Sequence, residues 1–113
     1  MRPETLKLLI DILDATSEIR EFTHGYDLTQ YRKDSKCRAA VERKFEIIGE
    51  ACTRIRDNDT NTFEKIDYGH QIIGLRNRVI HGYDNVDDAI LWDVVSSKLH
   101  PFVTQVTTLA NEA

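Results

Sequence analysis

One stripe of apolar residues constrains this chain more than anything else in it. It runs Val41, Phe45, Ile48, Cys52 and Ile55, in alternating steps of four and three. Only an α-helix brings residues at that spacing back to one face; a strand would alternate every second residue. The same spacing is the seam of a helix lying nearly alongside its neighbours, so the stretch demands a bundle around it. Ser35 reads as the N-cap of this helix, which then reaches about Arg56.

The flanking sequence supplies the partners. Leu6, Leu9, Ile10 and Leu13 form a stripe, with Leu8, Ile12, Ala15 and Ile19 beside it, which predicts a first helix over about Thr5 to Glu21. Gly25 is placed as a left-handed cap, and a short helical turn is expected over Leu28 to Arg32. The run from Asp57 to Thr62 reads as a polar loop. A fourth helix is expected from about Ile66 to His81, with Ile72, Ile73, Leu75, Val79 and Ile80 apolar, ended by Gly82. Asp84 and Asn85 are placed to cap the next helix, with Asp87 and Asp88 in its first turn, where the macrodipole favours acids. Its stripe is Leu91, Val95, Leu99, Phe102, Val106 and Leu109, and Pro101 should kink or interrupt it. Tyr31, Phe63 and Trp92 read as core or interface aromatics. The expected fold is all-α, an up-down bundle of four main helices plus a short helix, as one domain over residues 1–113.

Several function classes fall away. No apolar run approaches the roughly 20 residues that span a bilayer, and Met1-Arg2-Pro3-Glu4 leads straight into the amphipathic pattern, so no membrane association and a cytoplasmic location are expected. Cys37 and Cys52, the two cysteines, share one helix and lie about 22 Å apart along it, too far for a disulfide. No CxxC or HxxxH pair exists, and no two of the four histidines share a helical face, so neither a metal site nor a cofactor is expected. The net charge of −4 argues against broad electrostatic binding of nucleic acid. The charge is nevertheless uneven: residues 32–56 carry eight Lys/Arg against four Asp/Glu. Such a local basic surface suits a confined phosphate site, a basic interface for an acidic partner, or a solvated helix face.

The chemistry concentrates in Gly74-Leu75-Arg76-Asn77-Arg78-Val79-Ile80-His81-Gly82-Tyr83. A guanidinium, a carboxamide, an imidazole and a phenol lie within eight residues. Arg76 could hold a phosphate with forked donors and stabilise transition-state charge. His81 could take the 2′-hydroxyl proton of RNA or protonate the leaving 5′-oxygen. Asn77 and Arg78 lie four and three residues before His81, as supporting neighbours on a helix. Arg76, five residues away, sits about 140° round an ideal helix, so the pair converges only if the last turn loosens or a second subunit supplies half the site. Glu46 and Glu50, an i, i+4 pair on the long helix, are either solvated or orient the arginines from behind. Each residue also has a plain structural reading: a surface arginine, a histidine at a helix end, a half-buried tyrosine anchor.

The Ile73–Tyr83 segment resembles the signature of the HEPN superfamily, an arginine, commonly followed by asparagine, then a histidine after four to six residues. With Tyr83 added it is similar to the R-x4-H-x-Y variant of the HepT toxins. Phe45-Glu46-Ile47-Ile48-Gly49-Glu50-Ala51 resembles the family's long helix, and Val86-Asp87 with Leu91-Trp92-Asp93-Val94 the helix after the motif, so the likeness covers about residues 37–96. The resemblance implies an all-α homodimer acting as a metal-independent endoribonuclease toxin on RNA. It implies Arg76 and His81 as the catalytic pair, Asn77 in support, and Tyr83 as the residue that a neighbour-encoded MNT-type nucleotidyltransferase antitoxin, MntA, modifies with AMP. Added charge and bulk two residues from His81 would repel RNA phosphate and block the cleft. Two other functions fit the residues: a non-catalytic helical partner that binds nucleotide or substrate for a separate nucleotidyltransferase, and an interaction scaffold in which the motif is only a helix cap.

Overall fold

The computed structural model describes residues 1–80 and 88–113, with the side chains of residues 79 and 80 also left aside. Helix α1 spans Pro3–Phe22, α2 Leu28–Lys33, α3 Ser35–Asn58, α4 Thr60–Phe63, α5 Gly69–Ile80, α6 Asp88–Asp93 and α7 Leu99–Asn111. A π-helical turn, Val94–Lys98, joins α6 to α7 without a break. No strand occurs among the described residues, and the all-α bundle expected from the sequence is the fold. No helix among them is long and apolar enough to cross a membrane.

Helix α3 is the centre of the bundle, packing against α1 on one side and α5 on another, while α7 closes against α1. Its stripe behaves as its spacing requires: Val41, Phe45, Ile48, Cys52 and Ile55 are all fully buried. Burial pushes the Cys52 thiol up to about 12, so this sulfur is a core atom and not a nucleophile. Cys37 is likewise a free, buried thiol with its pKa raised by burial. The α3 N-cap is Asp34 and not Ser35: its carboxylate accepts from the Cys37 N–H at 3.0 Å. Asp34 also accepts the Tyr26 hydroxyl at 2.6 Å, which holds its carboxyl below the usual range and raises the phenol.

Helix α1 buries a different stripe from the one its leucines suggest. Thr5, Leu9, Ile12, Thr16 and Ile19 face the core, in the same four-three rhythm as α3, whereas Ile10 is exposed and Leu13 only half-buried. The two threonines can sit there because their hydroxyls are satisfied, Thr5 on Asp59 Oδ2 at 2.9 Å and Thr16 on the Leu13 carbonyl at 2.9 Å. Gly25 takes the left-handed conformation with φ +75°, as its position after α1 required.

The expected polar loop over 57–62 is largely helical. Helix α3 continues through Asn58, and Asp59 then caps the single turn of α4 by accepting from the Thr62 N–H. That turn buries Thr62 and Phe63, and Phe63 meets the His70 ring edge-on at 4.9 Å between centroids. Helix α5 begins at Gly69, three residues later than Ile66, which is buried in the turn before it. Ile72, Ile73 and Leu75 are buried as expected, while the end of the helix at His81 and Gly82 and the Asp84–Asn85 cap lie outside the described residues.

In the last rod, Leu91, Leu99, Phe102, Val106 and Leu109 are core and Val95 is half-buried. The interruption falls one turn before Pro101. Leu99 N–H donates to the Val94 carbonyl, an i→i−5 bond. Proline has no N–H for the carbonyl four residues back and its ring crowds that carbonyl, so the preceding turn widens. Trp92 packs its ring on buried Tyr31 at 5.3 Å, which ties α6 to α2. Both aromatics, and Phe63, are therefore core residues as expected, Trp92 at its margin.

Candidate active site

Helix α5 delivers Arg76 to α3 at a glycine. A Cβ built on Gly49 would overlap the Cβ of Arg76 and sit 2.6 Å from its Cγ, so the aliphatic stem of the arginine lies directly on the α3 backbone. A side chain at Gly49 would push the helices apart or turn the arginine away. With the stem fixed there, the guanidinium reaches Glu50, where Nη2 lies 2.8 Å from Oε2. Nη1 reaches the Asn77 Oδ1 at 3.5 Å. Nε is buried with no acceptor. Arg76 is only 24% exposed, against 45% for Glu50, so the ion pair is half withdrawn from solvent.

Glu50 serves two arginines. Its Oε1 accepts from Arg54 Nε at 3.2 Å while Oε2 holds Arg76. One turn earlier Glu46 pairs with Arg43 at 3.0 Å. These residues, with Asp11 from α1, line an open cleft of about 290 Å³ whose apolar floor includes Leu8, Ile47 and Ala51. On a helix of about 100° per residue, Arg43, Glu46, Glu50 and Arg54 fall within an arc of about 80°, so a single face of α3 carries the whole charged stripe.

The structure thus brings together Arg76, Asn77, Glu50 and Glu46 of the sequence-derived set. Of the two glutamates, Glu50 pairs with Arg76 and Glu46 lines the same cleft. Arg78 does not join them. It lies on the other side of α5, in a groove with Gln71, Gly74, Ile90, Val94 and Lys98. His81 and Tyr83 lie outside the described residues. Three residues of the cleft carried no individual signal: Asp11, Arg43 and Arg54. The excess of basic residues over 32–56 pointed to their region but did not separate the cleft-facing arginines from Arg56, which pairs with Asp57 elsewhere on the helix.

Chemically, the cleft offers a half-buried guanidinium with a fixed stem, braced by a carboxylate and open to an anion on its outer edge. That arrangement suits a phosphate diester. A candidate RNase of Methanocaldococcus jannaschii is 36% identical over 87 residues, covering 77% of this chain and 79% of the relative. A second candidate RNase of the same organism is 28% identical over 104 residues, covering 92% of this chain and 85% of the relative. A candidate ribonuclease HepT of Thermococcus cleftensis is 33% identical over 91 residues, 80% of this chain and 82% of the relative. No solved structure matches. The model of the family described as ribonuclease HepT-like matches residues 12–109, from the middle of α1 to the end of the α7 core stripe, and the chain belongs to that family.

Proposed function

We propose that this protein is a metal-independent endoribonuclease toxin that cleaves RNA through the substrate's own 2′-hydroxyl, at a site completed by a second copy of the chain. Arg76 is the observation that carries the proposal. A guanidinium whose stem is seated on Gly49 and whose Nη2 is braced by Glu50 is a fixed cation at the edge of an open cleft, the group that a phosphate diester calls for.

In this scheme Arg76 binds the scissile phosphate and stabilises the extra negative charge of the five-coordinate transition state. Asn77 fixes the guanidinium from beside it, and Arg78 adds positive charge on the far side of α5. The 2′-oxygen attacks phosphorus, its proton passing to a base; the P–O5′ bond breaks and the leaving oxygen takes a proton. The products are a 2′,3′-cyclic phosphate and a 5′-hydroxyl end. His81 fills one of the two proton-transfer roles, and His81 of the partner subunit fills the other, so the homodimer is the active species. Glu50 is a positioning residue, acting through Arg76. The switch is Tyr83: its hydroxyl oxygen attacks the α-phosphorus of ATP on a cognate MntA-type nucleotidyltransferase, pyrophosphate leaves and the phenolic proton is lost. The AMP so attached, charged and bulky and two residues from His81 in the sequence, blocks the substrate phosphate.

Wild type, Arg76→Ala and His81→Ala, each purified without the nucleotidyltransferase, distinguish this function from the alternatives. The expected result is RNA scission with cyclic-phosphate ends by wild type in the presence of a chelator, and a loss of about 10²–10³-fold or more in either variant. Equal behaviour of all three on RNA would sink the enzyme assignment. Intact mass after co-expression with the nucleotidyltransferase should show a gain of AMP that Tyr83→Phe abolishes. ATP binding without scission would instead mark a non-catalytic partner.

A further inference from the structure

We propose that the cleft between α1 and α3 is the track for the backbone of single-stranded RNA, with Arg43 and Arg54 as phosphate-binding residues on either side of Arg76. The proposal rests on the ribonuclease function above and adds to it where the substrate lies. Arg43 and Arg54 stand on one face of α3, about 16 Å apart along its axis, and Arg76 enters between them at the level of Glu50. Three forked cations in a row match successive phosphates of one strand. The cleft between them is open, so a strand can lie across it over Leu8, Ile47 and Ala51 and meet the three arginines in turn.

The carboxylates decide how the track works. Arg43 is tied to Glu46 and Arg54 to Glu50, and both arginines are more than half exposed, at 67% and 63%. Exposed pairs of this kind contribute little and exchange readily with another anion. A phosphate arriving at Arg43 or Arg54 therefore takes the place of a carboxylate that holds the fork oriented until then. Glu46 and Glu50 offset part of the charge of the three arginines, while Asp11 is held by Lys7 at 3.1 Å, which fits a confined phosphate track on a protein of net charge −4. Removing an acid should thus tighten RNA binding, the opposite of what loss of a structural ion pair would do.

The test uses the full chain in a His81→Ala background, with a short unstructured oligouridylate as probe, titrated over a range of KCl. Arg43→Gln with Arg54→Gln is expected to weaken binding about tenfold and to flatten the slope of log K against log salt by about 0.7 for each arginine lost. Glu46→Gln should tighten binding. Arg56→Gln, which removes one arginine off the cleft, should leave both quantities as they were. In the cleaving protein the double variant should raise KM while kcat stays within about twofold, since neither arginine touches the scissile phosphate. Circular dichroism confirms that the surface variants fold. Unchanged affinity and slope in the double variant, with RNA still bound and cut by the parent, overturns the track and leaves the ribonuclease standing. The track is equally overturned if the double variant instead dissociates two copies of the chain with the slope intact, which makes the cleft a protein interface. No binding and no cleavage by the parent overturns both.

Discussion

Helix α3 meets its two principal neighbours in opposite ways. Towards the core it presents Val41, Phe45, Ile48, Cys52 and Ile55, each fully buried, and on the other side of the shared interior α1 answers with Leu9, Ile12 and Ile19. Towards α5, besides the buried Ile72, Ile73 and Leu75, one close contact is made by the absence of a side chain: Gly49 lets the stem of Arg76 rest on the backbone. The first seam removes large apolar surface from water, which is what stabilises a domain of this size. The second adds little apolar area at that point and leaves a guanidinium Nε without a partner. The apolar stripe contributes stability, and the Gly49 crossing sets where one charge sits.

The widest separation between the two should appear on comparing Phe45→Ala with Arg76→Ala. Truncating a fully buried phenylalanine removes its transfer energy and opens a cavity, with an expected loss of about 3–5 kcal/mol in a urea melt. Arg76→Ala should change the melt by about 1 kcal/mol, because the loss of a half-buried pair is offset by removal of a buried unmet donor. Its loss should register in RNA cleavage. Comparable destabilisation by both variants would show that the arginine is a core strut and break the contrast.

Gly49→Ala comes next. Alanine favours a helix interior over glycine by about 1 kcal/mol, yet the new methyl would overlap the Arg76 Cβ, and overpacking of this kind costs about 1–3 kcal/mol. The net change in stability should be a modest loss, with a larger relative fall in cleavage, about tenfold or more, as the guanidinium shifts off Glu50. Full activity in a folded Gly49→Ala protein would separate the helix crossing from the placement of Arg76.

Both seams depend on α3 being fixed at its ends, and acid should weaken them together. Asp34 caps the start of α3 and is held low by the Tyr26 hydroxyl and then the Cys37 N–H. Asp59 follows its end; burial pushes this carboxyl up, but hydrogen bonds from Thr5 and Thr62 outweigh that and lower it. A carboxyl with a folded pKa below its unfolded value near 3.9 contributes fully above that value. The contribution is lost as pH falls through the folded pKa. Thermal melts should therefore stay level from neutrality to about pH 5 and fall below about pH 4, and Asp34→Asn with Asp59→Asn should lower the neutral melt while flattening that acid limb.

The contrast between the seams also explains what the sequence revealed and what it hid. The α3 stripe was legible because five apolar residues keep one period, and burial follows period. The α1 stripe was half legible, since Thr5 and Thr16 belong to it and hydropathy counts a threonine as polar without knowing that its hydroxyl finds Asp59 or the Leu13 carbonyl. The α4 turn was hidden inside a polar run because Asp59 acts there as a cap, a role visible only once the Thr62 N–H is in place. For the site, Arg76, Asn77 and the two glutamates could be nominated from local spacing. Gly49 beneath Arg76 could not: the two are remote in sequence, and the contact exists only because α3 and α5 cross there. Arg43 and Arg54 showed as regional charge, since an arginine in the cleft and an arginine in solvent are the same letter.

The smallest effect sharpens the comparison most cleanly, because it changes glycine to alanine again on the partner helix. Gly74 lies inside α5, and a Cβ built on it meets nothing within 4 Å. Glycine in a helix interior costs roughly 0.5–1 kcal/mol relative to alanine, mainly through freedom lost on folding. Gly74→Ala should therefore raise the stability of the isolated chain by about that amount. It stands two residues before Arg76 but faces the groove with Arg78, so the guanidinium and Glu50 should stay in register and cleavage per active molecule should not fall. A gain in stability with activity kept, set against a loss of activity for Gly49→Ala, would assign the effect to the crossing at Arg76. A loss of activity at both positions would mean that α5 as a whole tolerates no change, and that the placement of Arg76 does not depend on the one glycine beneath it.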